Sequence, residues 1–262
     1  MKQAIETVLV TGASSGIGLE LAKCFAAAGS DLVLVARNRD ALEKLAAEIE
    51  AKNGIKAFVL PADLSLLETP QRIFRELADL KIDVDVLVNN AGFGLQGEFL
   101  DLTLPRQLEI IHVNITALTE LTGLFLPGMV ERRRGGVLNV GSVAGFLPGP
   151  NMAVYYASKA FVQSFTEALA AENSGSGLKI SVLCPGPTES NFGKIAREGK
   201  PRRVERSKMS AQRVAQIGYE QFRAGKVVVV PGLCNRLLVF LTRMIPRSVA
   251  RTVVKKYNRT RD

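Results

Sequence analysis

Short, nearly continuous apolar runs rich in β-branched residues alternate along the chain with longer segments whose apolar positions recur every three to four residues. The first kind reads as buried strands: Thr7–Val10, Leu32–Ala36, Lys56–Leu60, Val86–Asn89, Gly136–Val140, Lys179–Cys184 and Val227–Val230. The second kind reads as helices over Gly16–Ala28, Asp40–Lys52, Leu66–Ala78, Pro105–Arg133 and Val154–Glu172. In the helix from Asp40, residues Leu42, Leu45, Ala46 and Ile49 share one face and charges occupy the other. Pro127 is expected to interrupt the long fourth helix, because proline removes one hydrogen bond of the helical ladder. Thr188–Gly225 is polar and reads as helical in part. Strands that are apolar throughout, with a helix between each pair, imply a parallel sheet covered on both faces. The expected architecture is therefore α/β, a doubly wound Rossmann-like sheet of about seven strands in one domain over residues 1–262. Such sheets bind ligands at the carboxyl ends of their strands.

The first strand runs straight into Thr11-Gly12-Ala13-Ser14-Ser15-Gly16-Ile17-Gly18 and then a helix. Gly12 suits a sharp turn, Gly16 a close approach of backbone to a pyrophosphate, and Gly18 tight packing of the helix. The free N–H groups and partial positive charge of a helix start attract phosphate. The spacing is Gly-x-x-x-Gly-x-Gly, and a plain strand-to-helix turn would use glycine too.

Further motifs follow in order. Asp63 comes after the third strand, Asn89-Asn90-Ala91-Gly92 closes the fourth, Asn114 lies in the next helix, and Ser142 follows the fifth strand. Tyr155-Tyr156-Ala157-Ser158-Lys159 is a Tyr-x-x-x-Lys pattern, and Pro185-Gly186 follows the sixth strand with Thr188 two residues on. In this order the chain resembles the short-chain dehydrogenase/reductase family from residue 7 to about 190, in its Tyr-x-x-x-Lys subgroup. The resemblance implies cofactor contacts from Gly12, Ser14, Ser15, Gly16, Ile17 and Gly18, from Asp63 and Leu64, from Asn90, Ala91 and Gly92, from Tyr155 and Lys159, and from Pro185, Gly186 and Thr188. It implies a catalytic set of Asn114, Ser142, Tyr155 and Lys159, a substrate lid over about 188–212, and a homo-oligomer.

Reduction of a ketone needs a hydride on carbon and a proton on oxygen, and a nicotinamide supplies the hydride. Tyr155 is the candidate acid. Lys159, four residues on, shares its helix face, and a cation there is expected to lower the tyrosine pKa from about 10. The adjacent Tyr156 has Ala160 in that register instead. Ser142 would donate to the carbonyl oxygen, although serine in Gly141-Ser142-Val143 also suits a turn. The family pattern gives Asn114 a proton-relaying water and gives the single histidine, His112, no role. Asn89 suits a structural position as well as a ligand-facing one. Gly94, Phe93, Phe146, Leu147 and Phe192 are candidates for the substrate pocket, or for core.

The second strand ends Ala36-Arg37-Asn38-Arg39. An acid at position 36 would bind a ribose 2′-hydroxyl and repel a 2′-phosphate. Alanine followed by Arg37 favours the phosphate, so the expected cofactor is NADP(H), with Ser14 and Arg39 as further contacts.

Composition narrows the picture. Of 262 residues, 47% are hydrophobic, enough for a full core, and the three cysteines Cys24, Cys184 and Cys234 have no metal-ligand spacing and read as buried thiols. The apolar stretch Val8–Val10 is short for a signal peptide and Leu237–Leu241 is short for a membrane span, which points to a cytoplasmic protein. The net charge of +9 is uneven: residues 194–262 carry 18 Lys/Arg against 4 Asp/Glu, while the preceding residues are net acidic. Lys194, Arg197, Lys200, Arg202, Arg203, Arg206 and Lys208 would place cations in the lid, suiting an anionic acyl substrate or a solvated face. The C-terminal extension, about 232–262, sets Leu237–Leu241, Met244 and Ile245 among Arg236, Arg243, Arg247, Arg251, Lys255 and Lys256. Three readings stay open for it: a helix resting on a membrane surface, a cover for a hydrophobic substrate channel, or an oligomer interface. Nucleic-acid binding has only the cations in its favour, with no aromatic-rich motif. The functional expectation is an NADPH-dependent carbonyl reductase or alcohol dehydrogenase for a ketone or 3-oxoacyl substrate. The alternatives are a catalytically silent NADP(H)-sensing protein and a membrane-surface reductase of lipid substrates.

Overall fold

A computed structural model describes residues 5–196 and 208–259, with the side chain of Lys194 excepted. Seven parallel strands form one sheet in the order β3-β2-β1-β4-β5-β6-β9. They are β1 (Thr7–Thr11), β2 (Asp31–Ala36), β3 (Ala57–Pro61), β4 (Val86–Asn89), β5 (Gly136–Val140), β6 (Lys179–Leu183) and the short β9 (Val228–Val229). Helices α1 (Gly16–Ala27), α2 (Arg39–Asn53), α3 (Thr69–Asp79), α4 (Leu104–Ile111), α5 (Leu118–Arg132), α6 (Ala153–Glu172) and α8 (Ala211–Arg223) connect or flank them.

The period of two in the strands divides the core. Val8, Val10, Leu32, Leu34, Val86 and Val88 point to one face with Leu21 and Phe25 of α1, Leu42 of α2 and Phe222 of α8. Leu9, Val33, Val35, Leu87 and Val137 point to the other with Ile73 of α3 and Leu121, Phe125 and Met129 of α5. Each fully buried side chain of this size contributes about 1.5–3 kcal/mol. Local signals set the helix limits. Asn38 caps α2 by accepting from Ala41 N at 3.0 Å, and Gly54 ends it in the left-handed region.

The expected break at Pro127 does not occur. Pro127 lies inside α5, and the irregularity is instead a π-helical turn over His112–Ala117 that joins α4 to α5. A π turn widens the ladder by one residue, a common device where a helix must turn a side chain toward a site. The combined helix Leu104–Arg132 is long and apolar enough to cross a bilayer, but Leu118, Leu121, Phe125 and Met129 bury its apolar side in the core. The third helix begins at Thr69, three residues after the expected start, because Leu66 and Leu67 are exposed in the preceding turn. The expected seventh strand shrinks to Val228–Val229.

After β6 the described part of the segment expected to form a lid comprises β7 (Thr188–Glu189), α7 (Phe192–Ala196) and β8 (Met209–Ser210), with β7 and β8 paired in parallel. Arg197, Lys200, Arg202, Arg203, Arg206 and the Lys194 side chain lie outside the described residues. The extension forms a hairpin of α9 (Leu233–Thr242) and α10 (Arg247–Asn258). Cys184 is buried and Cys24 half-buried, but Cys234 is exposed on α9, so the three thiols do not share one environment.

Candidate active site

The strand order reverses between β1 and β4, and a crevice forms there because the following segments diverge to opposite faces. The glycine turn after β1 occupies this point. Gly12 adopts φ +67°, and a Cβ there would lie 2.7 Å from Asn90 Nδ2 and 3.0 Å from Ala91 Cα. A Cβ on Gly18 would lie 2.2 Å from the same amide nitrogen. Asn90 is the clamp of this turn: its Nδ2 donates to Thr11 O at 2.9 Å and Gly12 O at 3.2 Å. Thr11 Oγ1 in return accepts from the N–H groups of Asn90 and Ala91, each at 3.0 Å. The Asn90 amide nitrogen is thus committed to protein backbone, which leaves backbone groups of 90–92 to line the crevice.

Ser15 is the N-cap of α1 with extended φ and ψ, yet its side chain makes no capping bond. Capping serines ordinarily satisfy an N–H of the first turn. Here those N–H groups and the Ser14 and Ser15 hydroxyls are left to an external acceptor, and the cradle fits an anion. At the neighbouring strand end, Arg37 is exposed after Ala36, and its charge helps hold Asp63 below the usual carboxylate range. Burial of Asp63 acts the other way but is outweighed by the N–H and O–H of Ser65, at 2.9 and 2.8 Å, together with Arg37. Leu64 is buried behind it. Arg39 is turned along α2 toward Glu43, at 3.5 Å.

The residues expected to handle the proton meet on the other side of β4. Tyr155, Ser158, Lys159 and Val162 form the buried face of α6. Ser142 faces the Tyr155 hydroxyl and caps the short 3-10 turn Val143–Phe146, accepting from Ala144 N at 3.1 Å and donating to Pro185 O at 3.5 Å. Ser142 therefore fills the turn position and the site position at once. Lys159 Nζ stands 6.0 Å from the Tyr155 ring centroid and donates to Val140 O at 2.7 Å. Burial dominates both groups: it pushes Tyr155 up to about 12, against the lowering effect of the neighbouring Ser142, and pulls Lys159 down to about 8. The expected depression of the tyrosine by the lysine is not what this geometry produces. The ammonium is turned to the end of β5, and desolvation of the phenol outweighs its influence.

Asn114 sits in the π turn, 1% exposed, and its side chain is fully engaged. Its Nδ2 donates to Phe93 O at 3.0 Å and Ser158 Oγ at 2.9 Å, and its Oδ1 accepts from Phe93 N at 3.1 Å. Ser158 Oγ continues to Tyr155 O at 2.7 Å. The asparagine thus braces the loop after β4 against the helix carrying tyrosine and lysine. Sequence reasoning missed Ser158; the available signal was a small polar residue three positions after Tyr155, on the same buried face. Asn89 proves structural, donating to Thr122 Oγ1 and Asn139 Oδ1 at 3.1 and 3.0 Å.

Of the proposed pocket residues, Gly94 and Phe192 meet Tyr155. A Cβ on Gly94 would lie 2.8 Å from its ring, and the Phe192 ring centroid is 5.0 Å away. Phe93 stacks under Arg106, 5.2 Å away. Phe146 and Leu147 line a cavity of about 810 Å³ on the Tyr156 side, with Ile245, Arg247 and Arg251 of the C-terminal hairpin opposite. Pro185 O accepts from Val143 N at 3.0 Å, and Thr188 Oγ1 donates to Gly186 O at 2.9 Å. Gly186 faces Asn235 of α9, whose amide a Cβ there would meet at 2.4 Å. Asn258 of α10, 4% exposed, donates to Pro150 O at 3.0 Å, accepts from Tyr156 OH at 3.3 Å, and takes a bond from Gln96 on its carbonyl. Nothing in the local pattern around Asn258 signals its role, because its partners lie far away in sequence, whereas the Asn235 amide donates to the nearby Pro231 O at 2.7 Å.

A parallel sheet of this order, a glycine turn built for an anion at its switch point, and a tyrosine–serine pair beside a buried lysine define an oxidoreductase of the Rossmann type. The sequence model of the short chain dehydrogenase family matches residues 6–201. The chain belongs to the short-chain dehydrogenase/reductase family, whose members act on CH–OH and C=O groups. It is 40% identical over 192 residues to a short chain dehydrogenase of Pseudocercospora fijiensis, covering 72% of this chain and 61% of the relative. It is 36% identical over 181 residues to the ketoacyl reductase HetN of a Nostoc species, covering 69% and 63% respectively. The match therefore spans a little under two thirds of these relatives. Among solved structures, a short-chain dehydrogenase from Sphingobium yanoikuyae in complex with NADPH superposes with a TM-score of 0.82 at 32% identity, covering 92% of this chain and 93% of that one.

Proposed function

We propose that the protein is an NADPH-dependent carbonyl reductase, running in reverse as an alcohol dehydrogenase, for a ketone or 3-oxoacyl-type substrate. The observation that carries this reading is the burial of Tyr155 and Lys159 on one face of α6, with Ser142 facing the tyrosine hydroxyl. NADPH, when bound, supplies the hydride.

The chain's own residues do the rest. Tyr155, with its pKa pushed up to about 12, is fully protonated at neutral pH and serves as the acid that delivers a proton to the developing alkoxide. Ser142 orients the carbonyl oxygen toward that hydroxyl and stabilises its growing charge. Lys159 has N–H groups beyond the one given to Val140 O, and these suit ribose hydroxyls. Asn114 and Ser158 hold α6 and the Phe93 loop in register, so Asn114 acts here as a positioning residue. Gly12, Ser14, Ser15, Gly16, Ile17 and Gly18 would receive the pyrophosphate, with Asp63 and Leu64 beside the adenine. Asn90, Ala91, Gly92, Pro185, Gly186 and Thr188 would flank the nicotinamide end. Arg37 supports NADP over NAD, because an exposed guanidinium beside Ala36 suits a 2′-phosphate. The resemblance to an NADPH complex and to a ketoacyl reductase points the same way. The lid residues from Thr188 onward, with Phe192 against Tyr155, would close over the substrate.

The test is NADPH oxidation by wild type and Tyr155→Phe against ketones, 3-oxoacyl thioesters and steroids. Turnover in the wild type, lost in a variant that still binds NADPH, is the expected result. Turnover that survives the substitution would remove Tyr155 as the acid, and tight NADPH binding without turnover by either protein would favour a cofactor-sensing role.

A further inference from the structure

The outer face of the C-terminal hairpin is apolar and has no protein partner among the described residues. On α9, Leu233, Leu237, Phe240, Leu241 and Met244 are 80%, 59%, 58%, 45% and 71% exposed. Their spacing of four, three, one and three residues places them on one stripe of the helix and the turn that follows it. Val249 and Val253 extend this surface along α10 at 49% and 60% exposure. Amphipathic helices of a globular protein turn such stripes inward. Here α9 buries only Val239, and α10 is seated through Ala250, Val254 and Asn258. The inner side of the hairpin lines the 810 Å³ cavity on the Tyr156 side and meets Gly186, so the outer stripe takes part in neither contact.

The charge around this stripe is of one sign. Between Gln221 and Arg259 the sequence has nine Lys/Arg and no Asp/Glu. Arg236, Arg243, Arg247, Arg251, Lys255 and Lys256 all belong to the hairpin and are exposed, Arg247 and Arg251 at the rim of the cavity. Seven large apolar side chains bordered by cations, with no acid among them, are complementary to a surface that is greasy within and anionic at its rim. Ten residues make α9 too short to span a bilayer, since crossing needs about 20.

We infer that the α9–α10 hairpin docks the protein on the surface of an anionic lipid bilayer, the apolar stripe entering the headgroup boundary and the flanking arginines and lysines pairing with lipid phosphates. Asn258 ties the hairpin to Tyr156 and Pro150, so docking would hold the Tyr155 end of α6 near the membrane plane.

The experiment uses the full chain with vesicles of equimolar phosphatidylcholine and phosphatidylglycerol, and of phosphatidylcholine alone. An environment-sensitive fluorophore on the exposed Cys234, in a Cys24→Ser background, reports burial of the helix. Expected are co-sedimentation with the anionic vesicles, weakening as salt is raised, and a blue shift of the probe. Leu237→Ser with Phe240→Ser should weaken partition at least about tenfold. Arg243→Gln with Lys256→Gln should weaken it roughly fivefold per charge on anionic vesicles only. Both variants should keep wild-type turnover of a water-soluble ketone and wild-type melting temperature, which excludes misfolding. The inference is overturned if wild type stays in the supernatant with anionic vesicles. It is equally overturned if sedimentation equilibrium shows a dimer that Leu237→Ser/Phe240→Ser dissociates while vesicle binding is absent, since the stripe would then join two copies of this chain.

Discussion

Replacing Gly94 by alanine tests whether the position of the Tyr155 ring limits catalysis. The new methyl group would stand 2.8 Å from Tyr155 Cδ2, 2.9 Å from Cγ and 3.2 Å from Phe192 Cζ. Unstrained carbon contacts need about 3.5–4.0 Å, so the ring must retreat by roughly 0.7–1 Å. Gly94 is not among the residues of positive φ, so the backbone accepts alanine and the cost arises from this contact. The ring has little room, being 8% exposed and wedged between Tyr156 and Phe192. Overpacking of this kind costs about 1–3 kcal/mol, a fall in melting temperature of roughly 2–10 °C for a domain of this size. Displacing a catalytic hydroxyl by about 1 Å lowers kcat by roughly 10- to 100-fold. NADPH affinity, measured by fluorescence titration, should change less than about threefold, because the glycine turn is untouched. A variant with kcat within twofold of wild type and an unchanged melting temperature would show that the ring is not held where the contacts imply.

Lys159→Met should abolish reduction yet raise stability at pH 7. The lysine's pKa falls from 10.5 to about 8 in the fold, so its charged form costs roughly 3 kcal/mol below pH 8, a cost that vanishes as pH rises to about 10.5. Wild-type stability relative to the variant should therefore increase across that window in urea titrations, and a flat difference would contradict the buried charge. In the active enzyme, kcat/KM for NADPH should decline above pH 8 as Lys159 loses its proton, while Tyr155, at about 12, stays protonated throughout. Arg37→Ala should raise KM for NADPH by roughly 10- to 100-fold and leave KM for NADH nearly unchanged; equal effects on both would remove Arg37 from the 2′-phosphate site. Asn258→Ala strips the Pro150 carbonyl and Tyr156 hydroxyl of a partner, at a cost of about 1–3 kcal/mol, and should speed amide exchange in α10 ahead of the core strands.

The strands and helices were legible because their signals are local. A run such as Val8-Leu9-Val10 can only satisfy a sheet covered on both faces, and Asn38 and Gly54 mark the ends of α2 by their own backbone chemistry. The glycine turn and the Tyr155–Lys159 spacing were legible for the same reason: a helix puts residues four apart on one face whatever surrounds it. Pro127 misled because tertiary packing of Phe125 and Met129 holds α5 through the proline. The acid-base behaviour also lay outside the sequence, because spacing puts Lys159 on the tyrosine's side of the helix but burial and the Val140 carbonyl decide where its charge points. What the amino-acid order determined by itself was thus the succession of elements, the glycine turn and the uneven charge of the last quarter. Only the tertiary structure decided that Asn90 clamps the turn, that Asn114 and Ser158 brace α6, and that Asn258 ties a C-terminal hairpin to Tyr156 and Pro150. It alone shows that the hairpin's apolar stripe faces outward. Those outcomes depend on contacts between residues tens to hundreds of positions apart, and the energy of such contacts is set by which surfaces the completed sheet leaves free.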